Sequence, residues 1–194
     1  MKRTHFLCTL LLASALLTGC VAVTKVEVGQ AVVKDRLSVK VESAWNRFEQ
    51  GMPDDAPTWT ADGFSVDTLR FYVGVKDQQE LGKNAPQAKA QPLIYRTSMQ
   101  AAEVVGLFQS LMTRDGSTFV LDKLEPYDFA GGKGFRYEFS MIRKSDSVQM
   151  KGVSYASVRN GELFMMMYTA PRLSFFAKRQ AQIERMAQSA TILK

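Results

Sequence analysis

The segment between residues 117 and 169 constrains the fold most, because it has the pattern of consecutive strands joined by tight turns. Apolar and polar residues alternate over 135–141, as in a strand with one buried face. Asn160-Gly161 is a strong signal for a two-residue hairpin turn, and Gly131-Gly132-Lys133-Gly134 also predicts a turn. The pattern predicts an antiparallel meander with strands over 119–124, 135–141, 149–158 and 162–169.

The apolar run from Leu163 to Tyr168 distinguishes the last of these strands, because it has no polar face. A strand tolerates this only where both sides of its sheet are covered, so we predict a central position. Three successive methionines, Met165 to Met167, raise the hypothesis of copper(I) coordination by thioethers. Successive strand residues point to opposite faces, so packing in the core is the favoured interpretation.

Two amphipathic helices are predicted on either side of this meander. Thr97 can cap the first helix, with Gln100 three residues on, and apolar residues within 101–112 recur at helical spacing. The second helix follows Pro171. Its apolar stripe comprises Leu173, Phe176, Ile183, Ala187 and Ala190.

The part of the chain before the first helix predicts further strands. Alternating patterns indicate strands over 37–41 and 69–75, with a short strand and turn over 59–64. Residues 77–93 are polar and mixed, which favours a long surface loop. The predicted fold class is therefore α+β, with a mainly antiparallel sheet packed with two amphipathic helices.

The N-terminus has the pattern of an export signal, with a basic start and an apolar run over 6–17. Leu17-Thr18-Gly19-Cys20 resembles the lipobox of bacterial lipoproteins residue for residue. The resemblance implies cleavage between Gly19 and Cys20, a diacylglycerol on the Cys20 sulfur and an N-acyl chain on its amino group. No other cofactor is expected. An uncleaved membrane helix is the alternative, but 12 residues cover only about 18 Å at ~1.5 Å per residue.

The predicted organisation is a signal peptide over 1–19, a tether over 20–34 and a single domain over 35–194. Removal of 19 of the 194 residues leaves 175, a length that suits one domain. The residue after the cysteine is Val21. An aspartate at this position would resemble the inner-membrane retention signal of enteric bacteria, and it is absent here. By that analogy we expect a lipid anchor in the outer membrane, with the domain facing the periplasm.

Composition excludes several kinds of chemistry. The single histidine, His5, and the second cysteine, Cys8, both lie in the predicted signal peptide. A mature chain without histidine or a free thiol excludes serine–histidine and cysteine–histidine catalysis, and metal sites built on imidazole or thiolate. Carboxylate chemistry such as glycoside hydrolysis stays open, but no spacing singles out a pair of acids. We predict no catalytic residues and no metal site.

Charge is unevenly distributed along the chain. Residues 20–128 carry 12 Lys and Arg against 15 acids, whereas residues 129–194 carry 11 against 4. The basic residues of the last helical region are Arg172, Lys178, Arg179 and Arg185. Such a face can dock on anionic lipid, a polyanionic glycan or an acidic partner, although a solvated helix surface is the favoured interpretation. No nucleic-acid partner is expected in this compartment.

Two further motifs have a functional and a structural interpretation. The glycines of 131–134 are similar to a phosphate-binding loop, but such loops join a strand to a helix, and strands are predicted on both sides here. Trp45, Trp59 and Tyr127 suit a pocket for a lipid or a glycan, although aromatic residues at the margin of a sheet commonly pack in the core.

The order of elements over 97–192 resembles the PsbP-like fold, a group that includes photosystem accessory proteins and the DcrB-type bacterial lipoproteins. The residues that carry the resemblance are Gly134-Phe135-Arg136-Tyr137-Glu138, Arg159-Asn160-Gly161-Glu162-Leu163-Phe164, Tyr168-Thr169-Ala170-Pro171 and the closing helix that ends at Ser189. The resemblance implies a sandwich without a catalytic motif and a non-enzymatic binding or assembly role.

We therefore expect a lipid-anchored envelope protein that binds another envelope protein or supports assembly or maintenance of the envelope. The alternatives are a protein that binds lipid or glycan and a carboxylate-dependent hydrolase of the cell envelope.

Overall fold

The computed structural model describes residues 23–48, 56–82 and 91–193. The predicted signal peptide and its cleavage site at Gly19 and Cys20 lie outside these residues. Within the described ranges the chain forms thirteen strands and two helices. The strands are β1 Val23–Val26, β2 Gly29–Val33, β3 Leu37–Val41, β4 Trp45–Phe48, β5 Thr58–Thr60, β6 Thr68–Val75, β7 Glu80–Leu81, β8 Leu93–Ile94, β9 Thr118–Phe129, β10 Gly132–Ile142, β11 Gln149–Arg159, β12 Glu162–Pro171 and β13 Thr191–Ile192; the helices are α1 Ala101–Met112 and α2 Phe175–Gln188.

Most of the fold is one antiparallel sheet of eight strands in the order β1-β4-β5-β6-β12-β11-β10-β9. Its β1 and β9 strands form the two edges. On one side, which we call the α2 side, the core also includes helix α2 and strands β2 and β3. On the other side, the α1 side, a second core cluster contains helix α1. The predicted fold class, α+β with a large antiparallel sheet and two helices, is confirmed.

Strand β12 lies between β6 and β11, in the central position that its apolar sequence predicts. Met166 packs in the core on the α2 side, whereas Met165 and Met167 pack in the core on the α1 side. All three are buried. The three sulfur-bearing side chains therefore do not converge on one site, and they fill both halves of the core.

The hairpin signals are confirmed, and the meander is longer than predicted. Asn160 and Gly161 have φ of 52° and 79°, which suits the type I′ turn that two-residue hairpins favour. The turn before β10 lies between two strands, as expected. Strand β9 continues to Phe129 because it pairs with β10 along its whole length, with one bulge opposite Glu138 and Phe139.

The helix boundaries differ from the sequence expectation. Helix α1 is capped by Gln100, whose capping box includes Glu103, and the predicted cap Thr97 instead donates a hydrogen bond to the Gly161 carbonyl at 2.9 Å. Leu173 lies before helix α2 and is 89% exposed, so it does not belong to the apolar stripe. Part of the loop expected over 77–93 is ordered as the β7–β8 pair.

The tether predicted over 20–34 is wrong for residues 23–26 and 29–33, which form strands β1 and β2. Strand β1 pairs with β4, and β2 pairs with β3. Val26 and Val33 are buried in the core on the α2 side, so both strands are fixed by packing as well as by hydrogen bonds. Strands this short have too little alternation to be distinguished from a linker by pattern alone.

Candidate binding surface on strands β9 to β11

A group of charged side chains occupies the α2 side of the sheet near its β9 edge. Register places Arg136 on β10 between Glu125 on β9 and Tyr155 on β11. Glu138, two residues further along β10, is opposite Lys123. Residues two apart on a strand share a face, so the charged residues of three strands meet on one side of the sheet.

These side chains form a continuous ion network, which we call the charged ladder and define as Lys123, Glu125, Arg136, Glu138 and Lys151. Arg136 donates to Glu125 at 2.8 Å and to Glu138 at 2.5 Å. Lys123 binds Glu125 at 2.7 Å, and Lys151 binds Glu138 at 2.8 Å. Three cations and two carboxylates thus alternate across three strands.

Arg136 is the fixed centre of the ladder. Its side chain is only 8% exposed, and the guanidinium carbon lies 5.7 Å from the centroid of the Tyr155 ring. Burial lowers the pKa of Arg136, but contacts with Tyr155 and Glu138 outweigh this and the pKa is raised overall. Burial also raises the pKa of Tyr155 to about 12, so at neutral pH the arginine is charged and the tyrosine is neutral.

The two carboxylates of the ladder are held in their ionised form. Hydrogen bonding to Lys123, and then to Arg136, lowers the pKa of Glu125. Desolvation raises the pKa of Glu138, but the hydrogen bonds and charges of Lys151 and Arg136 outweigh it, and the pKa is lowered overall. Both groups therefore accept hydrogen bonds at neutral pH and do not donate a proton.

Two exposed apolar side chains flank the ladder on the same side of the sheet. Val120 on β9 is 60% exposed and Ile142 on β10 is 45% exposed. Register pairs Val120 with Ser140, and Ile142 follows Ser140 by two residues, so both share the face of Arg136 and Glu138. We call this pair the apolar rim. The surface thus combines fixed charges with exposed apolar area.

The four basic residues predicted as a docking face are mostly engaged inside the domain. Arg179 donates to Asp62 at 2.8 Å, and Lys178 lies 3.4 Å from the same carboxylate. Arg185 binds Glu42 through two nitrogens, with a shortest distance of 2.8 Å. These pairs fasten helix α2 to the loops around it and compensate much of its charge. Arg172 is exposed and lies before the helix.

The aromatic residues considered for a pocket lie in the core or at its margin. Trp45 and Trp59 are both buried on the α2 side, where Trp45 contacts Tyr168 edge to face at 6.3 Å. Tyr127 is half-buried and packs against Tyr155 with ring centroids 5.1 Å apart. Their arrangement is that of core packing.

The described residues contain no cluster of side chains suited to bind a metal ion. Across residues 23–48, 56–82 and 91–193, no group of three or more His, Cys, Asp or Glu side chains is arranged to hold a metal ion.

None of the helices in these ranges is long and apolar enough to cross a membrane.

Sequence reasoning missed the charged ladder, although part of the signal was present. Alternation over 135–141 already places Arg136 and Glu138 opposite the aromatic residues of the same strand. Their partners could not be named, because the bulge in the β9–β10 pair shifts the register between Lys123 and Leu121. Only the three-dimensional pairing brings Lys151 to the same group.

Comparison with known proteins identifies the fold and nothing more specific. No family model matches the chain, and no curated protein matches it. Among solved structures, the cyanobacterial PsbP protein CyanoP of Synechocystis sp. PCC 6803 matches with a TM-score of 0.58 at 13% identity, over 91% of this chain and 95% of that one. The fold is PsbP-like. At this identity the likeness extends to the PsbP-like architecture alone.

A second match is weaker. LpqN of Mycobacterium tuberculosis, a protein described as involved in cell envelope biogenesis, aligns over 89% of this chain and 85% of that one. Its TM-score is 0.35 at 9% identity, too low for any conclusion about the PsbP-like domain described above.

Proposed function

We propose that this protein is a lipid-anchored envelope protein that binds a partner protein through the charged ladder and the apolar rim, without catalysis of its own. The observation that carries the proposal is the exposed end of the ladder at Lys123 on the β9 edge, on the same face as exposed Val120 and Ile142. The lipobox-like sequence at 17–20 supports the anchor, and Val21 in place of a retention aspartate supports the outer membrane as its location, with the domain facing the periplasm.

The ladder suits binding because it is organised before a partner arrives. Arg136 is buried and bound by two carboxylates, so its side chain is already ordered. It therefore loses little further conformational entropy when a partner binds. Lys123 is largely exposed at the end of the ladder and can contact a partner directly. We infer that the partner surface carries acidic side chains opposite Lys123 and apolar side chains opposite Val120.

Hydrolysis by paired acids receives no support from the ladder. A general acid in such a mechanism needs a carboxyl group with a raised pKa. Glu125 and Glu138 have lowered pKa values, because each is bound by two cations. A binding role fits carboxylates of this kind, whose task is to fix cationic neighbours.

The partner proposal can be tested in living bacteria with a photo-reactive residue at position 120. We expect one discrete protein adduct, identified by mass spectrometry, and loss of most of that adduct when Lys123→Glu reverses the exposed charge of the ladder. The matched control places the same probe at Val28, which is exposed in the loop after β1. Equal adducts at positions 28 and 120, or an adduct that Lys123→Glu leaves unchanged, would contradict the proposal.

The anchor has a separate test. Replacement of Cys20 by Ser removes the sulfur that would carry the diacylglycerol. We expect the Cys20→Ser protein to leave the outer-membrane fraction and to appear in soluble periplasmic extract. A Cys20→Ser protein that stays with the outer membrane as firmly as the wild type refutes the lipid anchor.

A further inference from the structure

The first strand begins almost at the predicted lipid attachment site. Val23 is the first residue of β1 and stands three positions after Cys20. Three residues of chain span at most about 11 Å when fully extended. If Cys20 is lipidated, as the proposed function requires, Val23 lies within about 11 Å of Cys20. The β1 edge is then held close to the lipid headgroups.

An exposed apolar patch lies at this edge, on the α1 side of the sheet. Val23 is 52% exposed and pairs in register with Phe48 on β4. The Phe48 ring contacts that of Phe64, with centroids 5.4 Å apart, and Phe64 is 43% exposed. We call these three residues the β1-edge patch. Lys25 is two residues after Val23 on the same face, is exposed, and forms an exposed ion pair with Glu27 at 3.0 Å.

The loop that carries Phe64 is fixed by a buried carboxylate. Asp67 accepts hydrogen bonds from the Thr60 hydroxyl at 2.6 Å and from the Asp62 amide at 2.8 Å. Arg143 donates to the Ser65 carbonyl at 2.8 Å, which ties the loop to the end of β10. These bonds hold the backbone at Asp62 and Ser65, on both sides of Phe64.

We propose that the β1-edge patch rests in the lipid headgroup region and seats the domain directly on the membrane surface. Apolar side chains gain stability at the boundary between headgroups and acyl chains, and a nearby cation is attracted to anionic lipid. The short link allows Val23 to lie in that region, because its reach of about 11 Å is comparable with the roughly 5–8 Å that headgroups add on each side of the hydrocarbon core. The occupant of the patch is therefore the lipid surface.

This seating orients the whole sheet. Strands β1 and β9 are the two edges of the eight-stranded sheet, with six strands between them in the strand order. With the β1 edge on the headgroups, the charged ladder lies at the opposite edge in the strand order, and the Arg143–Ser65 bond links the Phe64 loop to the end of β10. The anchor then also positions the binding surface.

The inference can be tested with a single fluorescent probe, because no cysteine of the mature chain other than Cys20 is present in the sequence. Phe64→Cys and the control Val120→Cys are labelled in the lipidated protein, which is then reconstituted into vesicles of phosphatidylethanolamine and phosphatidylglycerol. We expect quenching by aqueous iodide to be about threefold weaker at position 64 than at 120, and quenching by nitroxide-labelled lipid to occur at 64 alone. Val23→Cys serves as a second position in the patch.

The outcomes separate this inference from the anchor on which it rests. Protein that does not float with the vesicles refutes the anchor, and with it the seating. Protein that floats, but is quenched by iodide equally at 64 and 120, leaves the anchor intact and overturns the seating. Shielding from iodide without quenching by nitroxide lipid also overturns it, since another protein surface then covers the patch.

Discussion

The two edges of the main sheet differ in length, charge and surroundings. Strand β1 has four residues and leads from the N-terminus, whereas β9 has twelve residues and carries the charged ladder. An unpaired edge invites association with other strands unless it is short, charged, bulged or covered. Strand β9 has charges, a bulge and Pro126. Strand β1 is short and has exposed Val23 beside exposed Lys25, which suits the proposed position against lipid headgroups.

Under the two proposals made above, the fold separates membrane attachment from partner binding. The apolar patch lies at the edge where the chain enters, and the fixed charges lie at the far edge. A different residue stabilises each region. Asp67 accepts hydrogen bonds that hold the loop near β1, and Arg136 binds the carboxylates of the ladder near β9. Substitutions at these two residues should affect different surfaces.

The largest effect is expected from Asp67→Ala. The carboxylate is fully buried, and its loss leaves the Thr60 hydroxyl and two loop amides without their acceptor. We expect a loss of about 3 kcal/mol in the free energy of unfolding, measured by urea denaturation. The control is Asp128→Ala, at an exposed position on β9. Equal stability of the two variants would show that Asp67 does not organise the loop of Phe64.

A smaller loss is expected from Arg136→Met at the other edge. The substitution leaves two carboxylates without their buried cation, but Lys123 and Lys151 still compensate part of the charge. We expect a loss of about 2 kcal/mol, together with loss of the adduct at position 120. The matched control Lys123→Met removes an exposed charge and should change stability by less than about 0.5 kcal/mol. An Arg136→Met protein with normal stability and a normal adduct contradicts the role given to the ladder.

Acid should reduce the effect of Arg136→Met. The folded-state pKa values of Glu125 and Glu138 lie below their ordinary value of 4.5, so their contribution is complete above that pH and is lost as the pH falls through the folded values. Once the pH falls below the folded-state pKa values, the carboxylates are neutral in both proteins. Urea midpoints measured from pH 7 to pH 3 should therefore converge for wild type and variant. A difference that stays constant over this range would exclude electrostatic pairing as its cause.

The smallest effects are expected on helix α2, which lies between the edges. Arg179 is partly buried over Trp45 and binds Asp62, so Arg179→Gln should lower stability by about 1 kcal/mol. Arg185 forms an exposed pair with Glu42, so Arg185→Gln should leave the urea midpoint unchanged within error. If instead Arg185→Gln is the more damaging of the two, burial does not determine the contribution of these cations.

Local sequence patterns predicted most of the β9–β12 meander, but not the exact start of helix α1 or the pairing of the meander with the earlier strands. Asn160-Gly161 requires positive φ at two residues, and the run from Leu163 to Tyr168 requires cover on both faces, so each feature indicates one structure. The cap of α1 was misplaced because Thr97 and Gln100 begin overlapping capping patterns. The pairing of strands that are distant in sequence, such as β6 and β12, cannot be predicted from the local sequence pattern of either strand.

The candidate surface was predictable in part for the same reason. The alternation around Arg136 and Glu138 places both on one face, but the register with Lys123 and Lys151 depends on strands that the pattern alone cannot align. The β1-edge patch was missed because Val23 falls in the predicted tether and Phe64 in a turn. Their proximity depends on the contact of Phe64 with Phe48.

One photo-crosslinking comparison tests the separation of the two edges most directly. A photo-reactive residue is placed at position 64 or at position 120 in the lipidated protein in living cells, and the adducts are identified by mass spectrometry. We predict lipid adducts at position 64 and a discrete protein adduct at position 120. A shared protein adduct at both positions, or lipid adducts at position 120, would contradict the assignment of membrane seating to one edge and partner binding to the other.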